Sequence, residues 1–266
     1  MGGLGNQLFQ LATAYNLCRR HSANLELNLL GLQRKARLYP GLKYELEGLH
    51  DSFPFLVQNS QSFESWVLSA YGQRRLATAT GDLVNRVRHD GSRRMLLIES
   101  KDPEIDLKSL SNLEFQRVAL LGNWQRADYF RDFGFEFRQT VIEAARKLQV
   151  SRELETRLIQ TNAIAVHIRG GDFLGSPKLL NLSREYFTRA VEEITTTSSL
   201  EEPELFVFTD DTSHANSVIP RGYKTTLVDP KDAEGPLGHL YALSRACHLI
   251  TSNSTFSWWA AFMHQN

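Results

Sequence analysis

The chain has 266 residues, 42% hydrophobic and 23% charged, a globular composition that excludes collagen-like, disordered and disulfide-scaffold proteins. Lys and Arg number 30 and Asp and Glu 30, so the formal net charge is zero and no global basic footprint points to nucleic acid. No apolar run approaches the roughly 18 residues of a membrane span, no secretory signal opens the chain, and Cys18 and Cys247 lack metal-ligand spacing. The expectation is a cytoplasmic protein without a nucleic-acid partner, with two buried thiols.

In chain order, Gly2-Gly3-Leu4-Gly5-Asn6-Gln7 leads into a helix whose apolar face reads Leu8, Leu11, Ala12, Tyr15 and Cys18. Leu25, Leu27 and Leu29 alternate with polar residues as a strand does. From Gly31 to Ser92 the pattern is irregular and polar, and the basic cluster Arg86, Arg88, Arg93 and Arg94 reads as a solvated face. Met95–Ile98 and Val118–Leu121 read as strands, the second followed by the loop Gly122-Asn123-Trp124-Gln125. Val141–Val150 reads as helix.

The remainder alternates strand and helix more regularly. Ala163–Ile168 and Leu205–Phe208 are buried strands, and Thr226–Val228 and Leu249-Ile250 are shorter ones. Ser183 caps a helix through Ile194, Leu237–Ala246 is helical, and Thr255–Met263 forms a last helix. Such alternation predicts a parallel sheet in an α/β, Rossmann-like domain. The chain divides into residues 1–140 and 141–266.

In open α/β sheets, ligands bind beyond the carboxyl ends of the strands. There the second half places His167, Arg169, Gly170, Gly171 and Asp172, then Thr209, Asp210 and Asp211, then Ser252, Asn253, Ser254 and Thr255. Arg169 can hold a phosphate bidentately. Hydroxyls at a helix N-terminus suit an anion, and Asp210 or Asp211 can accept the adjacent N–H donors of guanine. Two or three charge-assisted bonds of about 1.5–3 kcal/mol each cover much of the ~8 kcal/mol behind a micromolar site.

Each feature alone has a structural explanation. His167 suits a satisfied core position, Asp210-Asp211 a turn or helix cap, Ser252–Thr255 an N-cap cluster, and Trp258 and Trp259 core packing. Three such features at three strand ends favour a nucleoside diphosphate. Gly3-x-Gly5 is not a dinucleotide fingerprint, because Leu8 stands where the third glycine belongs and no strand precedes it. Asn6 and Gln7 remain polar groups able to meet a sugar hydroxyl.

Four segments, in order, resemble the α-1,2-fucosyltransferases of glycosyltransferase family 11. They are Gly2–Gln10, Gly122–Gln125 followed by Tyr129-Phe130, His167–Phe173, and Ser252–Ala261. The resemblance implies a GT-B fold, with two Rossmann-like domains facing a cleft and an apparent truncation at both ends. Residues 1–140 would be the acceptor-side domain and residues 141–266 the domain that binds GDP-fucose.

It further implies inverting transfer of fucose to the 2-hydroxyl of a galactose-terminated glycan, without metal or cofactor. Matching motif to motif, Arg169 would hold the β-phosphate and assist departure of GDP. His167 and Asp211 would contact the nucleoside, and Ser254, Thr255 and Phe256 would cradle the pyrophosphate. Gly5 and Asn6 would lie near fucose and acceptor, with Asn6 joining Arg169 in catalysis. Asp172 would orient Arg169, with Asp210 and Ser252 in support. The family has a second arginine where this chain has Gly170. A fucosyltransferase of other linkage and a degenerate nucleotide-sugar binder are the alternatives. A place at the inner face of the membrane, in contact with glycan precursors, is the further expectation.

Overall fold

The computed structural model describes residues 2–29, 32–33, 36–37, 41–53, 55–58, 86–89, 94–99, 117–171 and 182–264. It forms two compact units, Met1–Gln139 and Thr140–Asn266.

In the first unit, helix α1 (Leu4–His21) begins at Gly3 and ends where Ser22 turns left-handed, its N–H on the Cys18 carbonyl. Arg19, Arg20 and His21 occupy the last turn, where the helix dipole favours positive charge. Leu8, Leu11 and Ala12 are wholly buried. Phe9 packs edge-on against Phe130 at 6.0 Å, and Tyr15 against Phe53 at 5.3 Å. Burying each of the phenylalanines Phe9, Phe53 and Phe130 stabilises the fold by about 1.5–3 kcal/mol.

Strand β1 (Leu25–Asn28) pairs parallel with β2 (Phe55–Gln58), Leu25 opposite Phe55. A separate sheet joins β3 (Arg86–His89) antiparallel to β4 (Arg94–Ile98), which runs parallel to β5 (Arg117–Leu121). Among the described residues this unit therefore has a two-stranded sheet and a mixed three-stranded sheet, not the single parallel sheet expected of a Rossmann-like domain. β2 and β3 fall in the segment read as irregular. Helix α2 (Gly134–Ala145) begins before the expected Val141 and stops before Val150.

The second unit is built on a parallel four-stranded sheet in the order β8-β7-β6-β9. β6 is Ala163–Ile168, β7 Glu204–Thr209, β8 Lys224–Leu227 and β9 His248–Ile250. β6 is central and buried along its whole length. Ile164, Val166 and Ile168 point to one face, where they meet Phe187 and Val191 of α4 (Arg184–Thr197) and Ala215 of α5 (Thr212–Val218). Alternation sends Ala163, Ala165 and His167 to the opposite face. That face carries α3 (Arg152–Leu158), α6 (Gly235–Arg245) and α7 (Thr255–Met263). Helices on both faces explain why β6 and β7 read as continuous apolar runs.

Both cysteines are half-buried rather than buried as expected. Cys247 lies in the turn before β9, its thiol donating to the Ile159 carbonyl at 3.3 Å. Burial pushes the Cys18 thiol up to about 11, so it is no nucleophile at neutral pH. No helix among the described residues is long and apolar enough to cross a membrane.

Candidate functional site

The carboxyl ends of β6, β7 and β9 gather the residues that the sequence placed there. His167 is 5% exposed, its Nδ1 lies 2.9 Å from Ser252 Oγ, and its ring packs 5.2 Å from that of Phe256. Burial, helped by the nearby Arg169 charge, pushes its pKa down to about 3, so the imidazole is neutral. It is a satisfied core histidine two residues before Arg169.

Arg169 leaves the end of β6 and pairs with Asp210, Nη1 to Oδ2, at 2.7 Å. The other oxygen of Asp210 accepts the Gly170 N–H at 2.8 Å. One carboxylate thus ties the loop after β6 to the loop after β7. The glycines make this approach possible. A Cβ on Gly170 would lie 2.5 Å from Asp211 Cβ, and one on Gly171 2.5 Å from Asp210 Oδ2. Gly171 also has φ +45°, which a side chain disfavours. An arginine in place of Gly170 would require the two loops to separate. Asp172, expected to orient Arg169, lies outside the described residues; Asp210 is the partner the structure gives it.

Asp211 caps α5, its Oδ1 accepting the His214 N–H at 2.9 Å. Its backbone N–H is held by Thr209 Oγ1 at 3.0 Å. Its Oδ2 takes no hydrogen bond from the described residues, and Oδ1 keeps a second lone pair. Ser254 caps α7, accepting the Phe256 N–H at 3.2 Å, and Thr255 is the first helical residue. Ser257, fully buried and not singled out in the sequence, donates to the Ser252 carbonyl at 3.0 Å and to that of Ser254 at 3.1 Å. Tyr186 reaches across from α4 to the Thr251 carbonyl at 2.8 Å. Trp259 is buried core, while Trp258 stacks on Phe262 at 5.2 Å.

Gly5 and Asn6 belong to the first turn of α1, in the first unit. Gly5 is buried, and the Asn6 side-chain oxygen accepts from Gln125 Nε2. Gln7 is not an open polar group. Its Nε2 donates to the carbonyls of Gly2 at 3.0 Å and Lys43 at 2.7 Å, while its Oε1 accepts the Glu45 N–H at 3.0 Å. The loop at Gly122–Gln125 is fastened by Glu99, whose Oε2 accepts the N–H groups of Asn123 and Trp124 at 2.6 and 2.7 Å. Gln10 Nε2 donates to the Gly122 carbonyl at 2.7 Å. Two segments noted separately in the sequence are thereby joined. The signal for it was only their amide side chains, whose partners the sequence does not specify.

Chemically, the second unit offers a cation of fixed position, a neutral imidazole, a carboxylate with acceptor capacity, and a hydroxyl-rich helix N-terminus whose N–H groups favour an anion. No cluster of His, Cys, Asp or Glu suited to a metal occurs among the described residues.

The model of the family described as "Glycosyl transferase family 11" matches residues 105–266. The chain is 23% identical to an α-1,2-colitosyltransferase of Escherichia coli, over 98% of this chain and 85% of that protein. It is 24% identical to the O-antigen biosynthesis glycosyltransferase WbnK of Escherichia coli, over 99% and 88%. A crystal structure of POFUT1 in complex with GDP superposes with a TM-score of 0.43 and 12% identity, covering 99% of this chain and 92% of that one.

Proposed function

Because the chain belongs to glycosyl transferase family 11, we propose that it moves L-fucose from GDP-fucose to the 2-hydroxyl of a galactose-terminated glycan, with inversion and without a metal. The observation that carries this reading is Arg169, a permanent cation held by Asp210 at the carboxyl end of the central strand. In the transfer, the acceptor oxygen attacks C1 of fucose and the bond from C1 to the β-phosphate oxygen breaks. The electron pair leaves with GDP, and Arg169 stabilises the charge that accumulates on the diphosphate. Ser254 and Thr255, at the start of α7, cradle the pyrophosphate, backed by Phe256 and Ser252. Asp211 accepts from the guanine edge, and neutral His167 hydrogen-bonds the nucleoside without competing for the cation's anion. Gly5 gives close backbone approach, and Asn6 orients the acceptor hydroxyl. The proton of that hydroxyl passes to solvent or to a base outside this set.

The enzyme is proposed to be of GT-B type and to act on a surface-polysaccharide precursor at the cytoplasmic face of the membrane. The O-antigen role in one relative's name supports this choice of acceptor. Colitose is the second donor sugar to test, because the other relative is a colitosyltransferase.

Calorimetric titration with GDP, with UDP as control and EDTA throughout, tests the donor site. GDP release from GDP-fucose in the presence of galactosides then tests transfer. Binding of GDP but not UDP, with Arg169→Ala losing about 10²–10³-fold in turnover, is the expected result. A folded protein that ignores GDP, or an Arg169→Ala variant with near-normal rates, overturns the reading.

A further inference from the structure

We propose that Asp210 is the positioning residue of the transfer step, fixing the Arg169 guanidinium for the transition state rather than for donor binding. The proposal deepens the reading above and presupposes that this edge holds a nucleoside diphosphate.

Three independent features support it. Asp210 binds Arg169 through one oxygen and the Gly170 N–H through the other, at 2.7 and 2.8 Å, so neither group can swing without breaking a bond. Gly171 is left-handed and lacks the Cβ that would sit 2.5 Å from Asp210 Oδ2, so the backbone is shaped around this carboxylate. Both side chains are about one-third exposed, at 30% and 33%, so the pair borders solvent and is accessible to a ligand.

The pair serves orientation more than binding. A guanidinium has five N–H donors in a planar fork, so the bond to Asp210 does not by itself saturate it. A diphosphate, however, is an anion, and the Asp210 carboxylate beside Arg169 repels it. In the ground state, an arginine held less exactly still attracts the diphosphate as a charge. In the transition state, the new charge is localised on one oxygen, and a cation misplaced by about 1 Å costs about 10²-fold in rate. Removing the Asp210 charge therefore affects binding and turnover differently.

Asp210→Asn is the informative variant, because the amide oxygen can still accept the Gly170 N–H while the ion pair to Arg169 is lost. GDP affinity by calorimetry is expected to stay within about threefold of wild type or to improve, while GDP release from GDP-fucose falls at least about tenfold. The same release assay without acceptor reads donor hydrolysis, so the test does not wait on the acceptor's identity. Turnover within about twofold of wild type overturns the proposal. So does a parallel loss of GDP affinity, turnover and melting temperature, or a variant that does not fold, since either marks Asp210 as a structural tie. The two readings fail separately. Wild-type protein without GDP binding removes the donor site itself. Wild type that binds and turns over, with Arg169→Ala impaired and Asp210→Asn normal, removes only the role of Asp210.

Discussion

His167 at the end of β6 and Ser252 just beyond β9 hold each other across the sheet, Nδ1 to Oγ at 2.9 Å. The contact joins neighbouring strands, since β6 and β9 pair in parallel with Val166 opposite Ile250. Ser252 Oγ also lies 3.4 Å from Ser257 Oγ, which anchors the first turn of α7.

Ser252→Ala leaves a buried imidazole nitrogen without this partner. The expected loss is about 1–3 kcal/mol of stability, read from denaturant midpoints. Ser257→Ala serves as a second probe, because it frees the same helix start without touching His167. A Ser252→Ala protein as stable as wild type would show that the contact is dispensable.

The neutral His167 gives stability a pH dependence of definite sign. Its folded pKa of about 3 lies below the ordinary value of 6.5, so between these values the unfolded chain binds a proton that the folded chain refuses. Stability attributable to His167 is whole above pH 6.5 and declines as pH falls toward 3. His167→Gln should flatten the melting-temperature profile in that window relative to wild type. Parallel profiles would contradict a buried neutral ring.

Gly170→Ala places a methyl group 2.5 Å from Asp211 Cβ and 3.2 Å from His214 Cβ, neither of which is a flexible chain end. About 1–3 kcal/mol of stability should be lost as the loops separate, with weaker GDP binding because Asp211 shifts. Gly170→Arg, the substitution that the resemblance suggests, should do the same and raise no turnover. Thermal melts and calorimetry on both variants check this; a gain in turnover by Gly170→Arg would show that the loop opens readily.

At the opposite, amino-terminal edge of the sheet, Glu204 forms a purely structural cluster. Arg157 donates to Glu204 and, at 2.8 Å, to Thr226 Oγ1, while its guanidinium lies 4.9 Å over the Phe206 ring. Burial alone would raise the Glu204 pKa, but bonds from Arg157 and Lys224 outweigh it and hold the carboxyl below its usual range. Its contribution to stability is present above the unfolded value of 4.5 and is lost as pH falls through the lower folded value. Because Glu204 keeps Lys224 and Thr226 as partners, Arg157→Ala should cost about 1–2 kcal/mol yet leave GDP affinity unchanged. A change in affinity would mean that the two edges are coupled.

Much of the second unit was legible because its strands are continuous apolar runs that end in polar turns. β6 has the bounds read for it, and α7 is Thr255–Met263 as read. β3 was not legible: Arg-Val-Arg-His carries no apolar alternation and is a strand through its pairing with β4. α2 was misplaced because Gly134 and Phe135 lack a start signal, although the helix begins there. The grouping of His167, Arg169, Asp211, Ser252 and Ser254 followed from their positions after strands. The partnership of Asp210 with Arg169 did not, because two consecutive aspartates look alike in sequence and only the turn after β7 sends one to the arginine and the other to the α5 cap.

The order of the strands has a consequence for the growing chain. Ser252 follows His167 by 85 positions, yet the two complete one another. A nascent chain that has emerged only as far as α6 can pair β6, β7 and β8 while β6 still lacks its second neighbour. Domains begin to fold during synthesis, but here the anion-favouring helix start arrives with the strand that closes that side of β6. The hydroxyl-rich helix start and the closing of that side of the sheet thus arrive as one event, and a nucleotide held there in the proposed way would stabilise the finished second unit by its differential affinity.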